Sequence, residues 1–377
     1  MKKGVLFCFL SLLLCYPGRA QVQAERPYWF SLERGKHFFR NGAYGDALIA
    51  FEDARRERRS LYTRMERALV ELFSLPEVRR LGNSLDQVER YLVDHYQPNV
   101  TAALEELYYR VPKASLEDSV NRALEQFGLL KNYPEAEYWI GEVYRVEGEL
   151  KIALGQYQKA HEQRAFLENP GFDIEILYKI VDIHKAAQEY TEMESRALEI
   201  LEGASPDGRP WDSFWTEDSF TRNAMARILE NDGVNRFLTL YRYRNAPVEG
   251  VHRLLGFYYY ASGRHSRAAE HLMFAFLIQN TTLIEEAIRN RYDFTFSSLD
   301  ALMDEIMGRP VLTAYIEDAE YYKTVYYLGA ALYGSGKAAP AGTLWAFLSG
   351  QNQAGEWRGR AQRQLRNPFV ERIQEMP

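Results

Sequence analysis

A residue pattern that recurs along the chain is the feature that most constrains its fold. In each clear copy a glycine is followed by an aromatic or leucine three residues later and by a second glycine four residues further on; an alanine and a large side chain come next. The clear copies begin at Gly35, Gly141, Gly256 and Gly329, and a degenerate copy begins at Val181. Such internal repetition indicates a repeat architecture, in which neighbouring units bury one continuous core.

The spacing within a copy predicts two antiparallel helices. Intervals of three, four and seven residues place one apolar stripe on each helix. The first glycine lets the two helices approach closely, and the large side chain of the second helix fills the space beside it. The second glycine stands where the first helix must end, a position that favours positive φ. It is Gly42, Gly148, Gly263 or Gly336.

Composition agrees with a helical chain and excludes several other classes. The 377 residues are 46% hydrophobic, and the 14 Pro and 25 Gly count against loop-rich β architectures. The net charge of −6 argues against nucleic acid as the main partner. Cys8 and Cys15 are the two cysteines, so the chain after them has no thiol for a disulfide, a zinc site or a nucleophile.

The N-terminal segment has the form of a secretory signal peptide. Two lysines precede the apolar run Val5–Leu14, and small residues follow up to Ala20. The run is too short to span a membrane, which takes about 20 apolar residues. We therefore predict an exported protein, periplasmic or secreted, that is cleaved after Ala20. Lipidation at Cys15 or retention of the segment would instead anchor the protein to a membrane. No later segment is apolar enough to form an integral membrane span.

The repeats resemble those of the tetratricopeptide repeat (TPR) family, whose unit of about 34 residues carries Trp, Leu, Gly, Tyr, Ala, Phe, Ala and Pro in order. The copies lack the first Trp and the closing Pro of that pattern, and the clear ones cover about half of the chain. Copies separated by about 40, 75 and 105 residues leave room for divergent helix pairs between them. The resemblance implies an all-α fold, a TPR-like α-solenoid of about eight or nine helical hairpins after the signal peptide.

The predicted organisation follows from these segments. The signal peptide, residues 1–20, precedes an N-terminal TPR-like array, residues 21–203. A loop-rich connection, residues 204–217, is indicated by its proline, glycine and bulky aromatic residues. A C-terminal TPR-like array, residues 218–377, completes the chain.

No motif for catalysis or for cofactor or metal binding is found. None of the 7 histidines forms a His-Glu-x-x-His pattern or pairs at i, i+4, and the phosphate loop, nucleophile elbow and dinucleotide fingerprint are missing. We interpret His184, His265 and His271 as packing or surface residues. The basic run Arg55–Arg59 contains and follows acidic residues, so we interpret it as a solvated helix face with intrahelical ion pairs; a contact to an anion or a partner is the alternative.

The first helices of the repeats carry the candidate binding residues. In TPR proteins these helices line a concave surface, and the resemblance places Lys323 and a set of aromatic and arginine side chains on it. Tyr and Arg dominate many protein interfaces. The alternative is that tight curvature buries these aromatics as ordinary core. The candidates are Tyr138, Arg145, Arg253, Phe257, Tyr260, Tyr326 and Tyr333.

We therefore predict a non-catalytic, exported helical-repeat scaffold that binds a protein or peptide and uses no cofactor. One alternative is a periplasmic module that binds a small ligand and assists a membrane transporter. An enzyme of the cell envelope acting on glycans is a weaker alternative, because no stretch outside the repeats is long enough for a catalytic domain. A closed apolar pocket would favour the ligand module, and an open groove would favour the scaffold.

Overall fold

The structure is a computed structural model that describes residues 27–80, 88, 97–118, 120–169, 171–203 and 227–372. Helix makes up 82% of this part of the chain, which contains no strand, so the all-α prediction is confirmed. None of the described helices is long and apolar enough to cross a membrane. The predicted signal peptide (residues 1–20) and connection (residues 204–217) lie outside the described residues.

The chain divides into two compact units, Met1–Ile176 and Leu177–Pro377. This division comes earlier in the chain than the predicted connection. The central helix of the first unit is α2, which has 31 residues and packs against α1, α4, α6 and α7. The helices of this unit are α1 (Tyr28–Arg40), α2 (Tyr44–Ser74), α3 (Pro76–Arg80), α4 (Pro98–Arg110), α5 (Lys113–Asp118), α6 (Val120–Leu129), α7 (Pro134–Val146) and α8 (Leu150–Glu162).

The second unit continues the helical pattern from within α9 (Phe172–Ala186), the helix in which the division falls. α16 packs on α17 and α17 packs on α18, and α13, of 26 residues, packs on both α12 and α16. The other helices of this unit are α10 (Tyr190–Gly203), α11 (Gly233–Leu240), α12 (Ala246–Ala261), α13 (His265–Asn290), α14 (Leu299–Ile306), α15 (Pro310–Asp318), α16 (Tyr321–Gly334), α17 (Ala338–Gly350) and α18 (Glu356–Arg366).

The close helix contact predicted at the first glycine of each clear copy is present. A Cβ atom built on Gly141 would lie 2.7 Å from the ring of Tyr157, and one built on Gly256 would lie 2.5 Å from Cγ of Leu272. Packed interiors leave no room for such an overlap, so a side chain at either position would push the helices apart. The same relation holds between Gly35 and Phe51 and between Gly329 and Trp345.

The turns of the hairpins also follow the sequence pattern. The second glycines, Gly42, Gly148, Gly263 and Gly336, have φ values of +76°, +85°, +75° and +87°. This left-handed region costs other residues free energy because their Cβ crowds the backbone. The degenerate copy has Gln188 at the equivalent position, with a φ of +59°. Its backbone therefore keeps the turn that its sequence no longer favours.

Candidate functional site

A cluster of aromatic rings lies where three helices of the second unit meet. We call it the aromatic cluster and define it as Tyr260 on α12, Tyr326 and Tyr327 on α16, and Trp357 on α18. Neighbouring ring centroids are 5.1 Å apart for Tyr260 and Tyr327 and 5.5 Å apart for Tyr326 and Trp357. The first three of these residues are buried. α16 brings two of the rings here because nearly all of its residues are apolar or aromatic, so the helix is buried on every side.

Arg360 covers this cluster with its guanidinium group. Its Cζ atom lies 4.5 Å from the ring centroid of Trp357 and 4.9 Å from that of Tyr326, distances typical of cation–π contacts. Its Nη2 donates to the hydroxyl of Tyr327 at 3.1 Å and to the carboxylate of Glu371 at 2.8 Å. Burial lowers the pKa of Arg360, but its hydrogen bonds and electrostatic interactions with Glu371 and Tyr327 together leave the pKa above its ordinary value.

Glu371 belongs to a non-helical stretch that follows α18, which we call the tail segment (residues 367–372). The main-chain oxygen of Glu371 accepts a hydrogen bond from the hydroxyl of Tyr260 at 2.7 Å, and its carboxylate accepts one from Tyr326. Burial, followed by the bond to Glu371, raises the pKa of Tyr326 to about 12. The tail segment therefore occupies the surface that two of the predicted binding tyrosines present.

Two further bonds hold the start of the tail segment. The main-chain N–H of Phe369 donates to the side-chain oxygen of Gln364 at 2.9 Å, and Tyr333 donates to the carbonyl of Pro368 at 3.3 Å. Gln364 is fully buried, and its amide nitrogen donates in turn to the hydroxyl of Tyr326 at 3.2 Å. Three predicted site residues, Tyr260, Tyr326 and Tyr333, are thus brought together by one segment of the chain itself.

A second feature, which we call the inner depression, lies beside the aromatic cluster. It has a volume of about 320 Å³ and is lined by residues of α9, α12 and α16, which are the first helices of three repeat copies. Two of the predicted binding residues, Arg253 and Phe257, lie in its wall, and Lys323 lies above the ring of Phe257 at 4.6 Å. The ring of Phe257 also contacts that of Tyr327, with centroids 5.6 Å apart.

The charges of the inner depression are partly paired. Glu320 binds Lys323 at 2.7 Å and also binds Arg253, whose Nε lies 3.2 Å from the carboxylate of Glu249. Burial raises the pKa of Glu320, but its bonds to Lys323 and Arg253 lower it below the ordinary value. Lys185 is exposed at the edge of the depression.

The other two predicted binding residues lie in the first unit. Tyr138 is buried, its hydroxyl donates to Glu175 at 2.6 Å, and its ring centroid is 4.6 Å from that of Phe172. Arg145 makes two hydrogen bonds to Glu142, at 2.8 and 3.2 Å. Tyr138, like Phe257, Tyr260 and Tyr326, is therefore buried in this structure. For Tyr260 and Tyr326 the covering residues include Glu371 of the tail segment.

The interpretation of the basic run as a solvated face is wrong for Arg58. Arg58 is fully buried, and its Cζ lies 4.5 Å from the ring centroid of Tyr133, with the rings of Tyr28 and Tyr62 also within cation–π distance. Its Nε donates to the main-chain oxygen of Leu130 at 3.0 Å. The apolar stripe of α2 contains the signal that was missed, because position 58 falls in register with Ala47, Phe51, Ala54 and Tyr62.

The prediction of intrahelical ion pairs does apply to two neighbouring arginines. Arg55 lies 3.4 Å from Glu52, and Arg56 pairs with Asp53 one turn away. Arg55 also reaches across to Glu137 on α7 at 3.3 Å. The run thus combines a buried residue with surface ion pairs.

A buried histidine pair was also missed by motif searching. His252 on α12 and His271 on α13 approach within 3.1 Å through their Nδ1 atoms. Burial lowers the pKa of both rings, and that of His271 falls to about 3. Two neutral rings in contact through Nδ1 require complementary tautomers, one donating and one accepting. In the described part of the chain no group of three or more His, Cys, Asp or Glu residues could hold a metal ion.

Comparisons with known proteins give relatives without a described activity. The chain is 23% identical over 342 residues to a Treponema pallidum (strain Nichols) protein described as uncharacterized, covering 90% of each chain. It is 20% identical over 234 residues to an uncharacterized Borreliella burgdorferi protein, covering 59% of this chain and 72% of the relative. No family model and no solved structure matches the chain.

Proposed function

We propose that the chain is a non-catalytic, exported helical-repeat scaffold that binds a protein or an extended peptide. In this proposal its hairpins are divergent members of the TPR type and stack as in that family. The first helices of consecutive hairpins present the binding surface.

The inner depression is the observation that supports this proposal most strongly. Positions chosen from the repeat register alone, Arg253, Phe257 and Lys323, line one depression in the second unit. Three repeat copies, of which the one on α9 is degenerate, contribute to it through their first helices, α9, α12 and α16. A surface built in this way suits a ligand that extends across several helices.

The chemistry of the inner depression favours a peptide over a small apolar ligand. Its wall combines the ring of Phe257 with charged side chains, and two of these, Asp182 and Lys185, are exposed to solvent. Small-molecule sites are mostly apolar and enclose most of their ligand. A wall with this mixture of charges and an open edge suits a peptide with an apolar side chain and acidic neighbours.

A peptide-selection experiment tests the proposal. The chain from residue 21 onward is used to select short random peptides, and the affinity of the selected peptides is then measured by fluorescence anisotropy. We expect Lys185→Ser combined with Lys323→Ser to weaken binding about tenfold or more, equivalent to about 1.4 kcal/mol. Lys151→Ser is the matched control, because Lys151 is exposed on α8 in the first unit.

Two results would count against the scaffold. Selected peptides that bind the double variant as tightly as the wild type would place the binding surface elsewhere. A solute that raises the melting temperature at micromolar concentration, with no peptide selected, would favour the small-ligand module.

Export is tested separately by the intact mass of the mature protein. We expect mature protein that begins at Gln21. A mass that corresponds to an acylated Cys15 as the first residue would contradict simple cleavage and would attach the protein to a membrane.

A further inference from the structure

The tail segment is bound to the rest of the chain mainly through its main chain and one carboxylate, as many peptide ligands are bound. Its contacts to the rest of the chain use a main-chain carbonyl and a carboxylate of Glu371, the carbonyl of Pro368 and the N–H of Phe369. The large side chains of the segment contribute little, because Phe369 and Val370 are 45% and 44% exposed. The aromatic cluster thus binds groups that many extended peptides with one acidic residue can offer.

The residues that hold the tail segment form a built site. Gln364 and Tyr326 are buried and bonded to each other, so both stay oriented toward the segment. The guanidinium of Arg360 is fixed over Trp357 and Tyr326 and directs Nη2 at the carboxylate. A charge-assisted bond to a guanidinium held in this way is stronger than one between neutral groups.

We propose that the tail segment is an internal ligand that a partner must displace. The partner supplies an extended segment whose Glu or Asp carboxylate takes the place of Glu371 on Arg360 and Tyr326. The inference rests on the proposed peptide-binding function, and it adds the chemistry of the ligand and a device that restrains binding.

The inner depression extends this site on the same unit. Phe257 lines the depression and its ring contacts that of Tyr327 in the aromatic cluster, so the two sites are neighbours on one unit. Lys323 and Lys185 lie along the depression and favour acidic residues in that part of the peptide. A partner that makes contacts in both places gains over the tail segment, which is bonded to the aromatic cluster and its supporting residues.

Attachment to the same chain favours the tail segment over a separate peptide with the same sequence. A short connection gives an attached ligand an effective concentration in the millimolar range. Binding of a free copy of the segment should therefore be weak in the wild-type chain and stronger when the contact of the attached copy is weakened.

The test uses the full chain and a labelled peptide with the sequence of residues 367–372. We expect the Glu371→Gln chain to bind this peptide at least tenfold more tightly than the wild-type chain does, measured by fluorescence anisotropy. Adding Arg360→Gln to that variant should abolish the gain, and a peptide with Gln in place of its Glu should not bind. Glu356→Gln is the matched control, because Glu356 lies 3.8 Å from Arg360 on the same helix and does not belong to the tail segment.

A second measurement uses the wild-type chain and does not depend on the folding of any variant. Millimolar unlabelled peptide should accelerate hydrogen exchange at the amide of Phe369, which is bonded to Gln364, and the Gln-containing peptide should not. Equal affinity of the wild-type and Glu371→Gln chains, or unchanged exchange at Phe369, would overturn the proposal.

These outcomes are distinguishable from failure of the proposed function. Displacement of the tail segment without any selected partner peptide would support the internal ligand and count against the scaffold. Selected peptides that bind the inner depression and leave Phe369 exchange unchanged would support the scaffold and overturn the internal ligand.

Discussion

The two units each contain an arginine that covers three aromatic rings, and the two sites differ in what covers the arginine. In the first unit Arg58 lies over Tyr28, Tyr62 and Tyr133, and in the second unit Arg360 lies over Tyr326, Tyr327 and Trp357. The closest ring centroid is 4.5 Å from the guanidinium carbon in both. In both, a tyrosine and the arginine share one carboxylate, that of Glu168 or Glu371.

The difference lies in how firmly each guanidinium is enclosed. The side chain of Arg58 is 0% exposed and also binds the main-chain oxygen of Leu130, which follows α6. The side chain of Arg360 is 17% exposed, and its ion pair at 2.8 Å is with the tail segment, near the end of the described chain. The same group of side chains is therefore enclosed as core in the first unit, and in our proposal it serves as a recognition site in the second.

The largest expected effect comes from removing the enclosed arginine. Arg58→Ala should lower the free energy of unfolding of the first unit by about 3–5 kcal/mol, because it removes a desolvated cation–π contact and a charged hydrogen bond and leaves a cavity. Urea unfolding followed by circular dichroism measures the loss. Arg56→Ala is the matched control, since the Arg56 side chain is 74% exposed. An equal, small effect of the two substitutions would mean that the arginine is not part of the core.

The next largest effect is expected at low pH. Acid should destabilise the second unit more than the first, because the buried histidine pair lies in the second unit. The pKa of His271 is about 3 when folded and about 6.5 when unfolded, so below pH 6.5 the unfolded state binds a proton that the folded state does not. Stability from this residue is complete above pH 6.5 and falls by about 1.4 kcal/mol per pH unit toward pH 3.

The pH dependence of urea unfolding checks this. His271→Gln should flatten the decline between pH 6.5 and 4.5, even if it lowers stability at neutral pH. His37→Gln serves as the control, because His37 is exposed on α1. Parallel pH curves for the wild type and His271→Gln would exclude His271 as a cause of the decline.

Removing Arg360, which is partly exposed, should lower the free energy of unfolding less than removing Arg58, which is enclosed. Arg360→Ala should lower stability by about 1–2 kcal/mol, because partial exposure weakens both its cation–π contacts and its ion pair. The same urea titration measures it, with the exposed Arg363 on the same helix giving the control Arg363→Ala. A loss as large as that of Arg58→Ala would remove the distinction between the two sites.

The smallest expected effects come from substitutions at the turns of the hairpins. Gln188→Gly should raise stability by about 0.5–1 kcal/mol, since glycine adopts the left-handed turn without crowding its Cβ. Gly148→Ala should lower stability by a similar amount, since Gly148 has a φ of +85°. Melting temperatures that move in the same direction for both would show that the turns do not control stability in this way.

The sequence best predicted the contacts between the two helices of a single hairpin. Gly141 and Tyr157 are close in the chain and lie in one repeat, so their contact could be predicted from a recurring interval. The turn of the degenerate copy could be placed in the same way, although Gln188 gives no local signal for it.

Contacts between elements far apart in the chain could not be predicted in that way. The rings around Arg58 come from residues 28, 62 and 133. The acidic residues near Arg58 in the sequence therefore led to the wrong prediction of a solvated environment. The repeat pattern ends before the tail segment, and no residue interval indicated that Glu371 would bind Tyr260 and Tyr326. The repeat register named both tyrosines as candidates, but it did not predict the segment that covers them.

Native-state hydrogen exchange of the full chain tests the central claim most directly, because it reports local opening at each site. The amide of Phe369 should exchange through a local opening that urea hardly affects, whereas amides of α2 around Arg58 should exchange only with unfolding of their unit. Exchange at Phe369 that shows the same free energy and urea dependence as α2 would mean that the tail segment is a fixed part of the core and not a displaceable ligand.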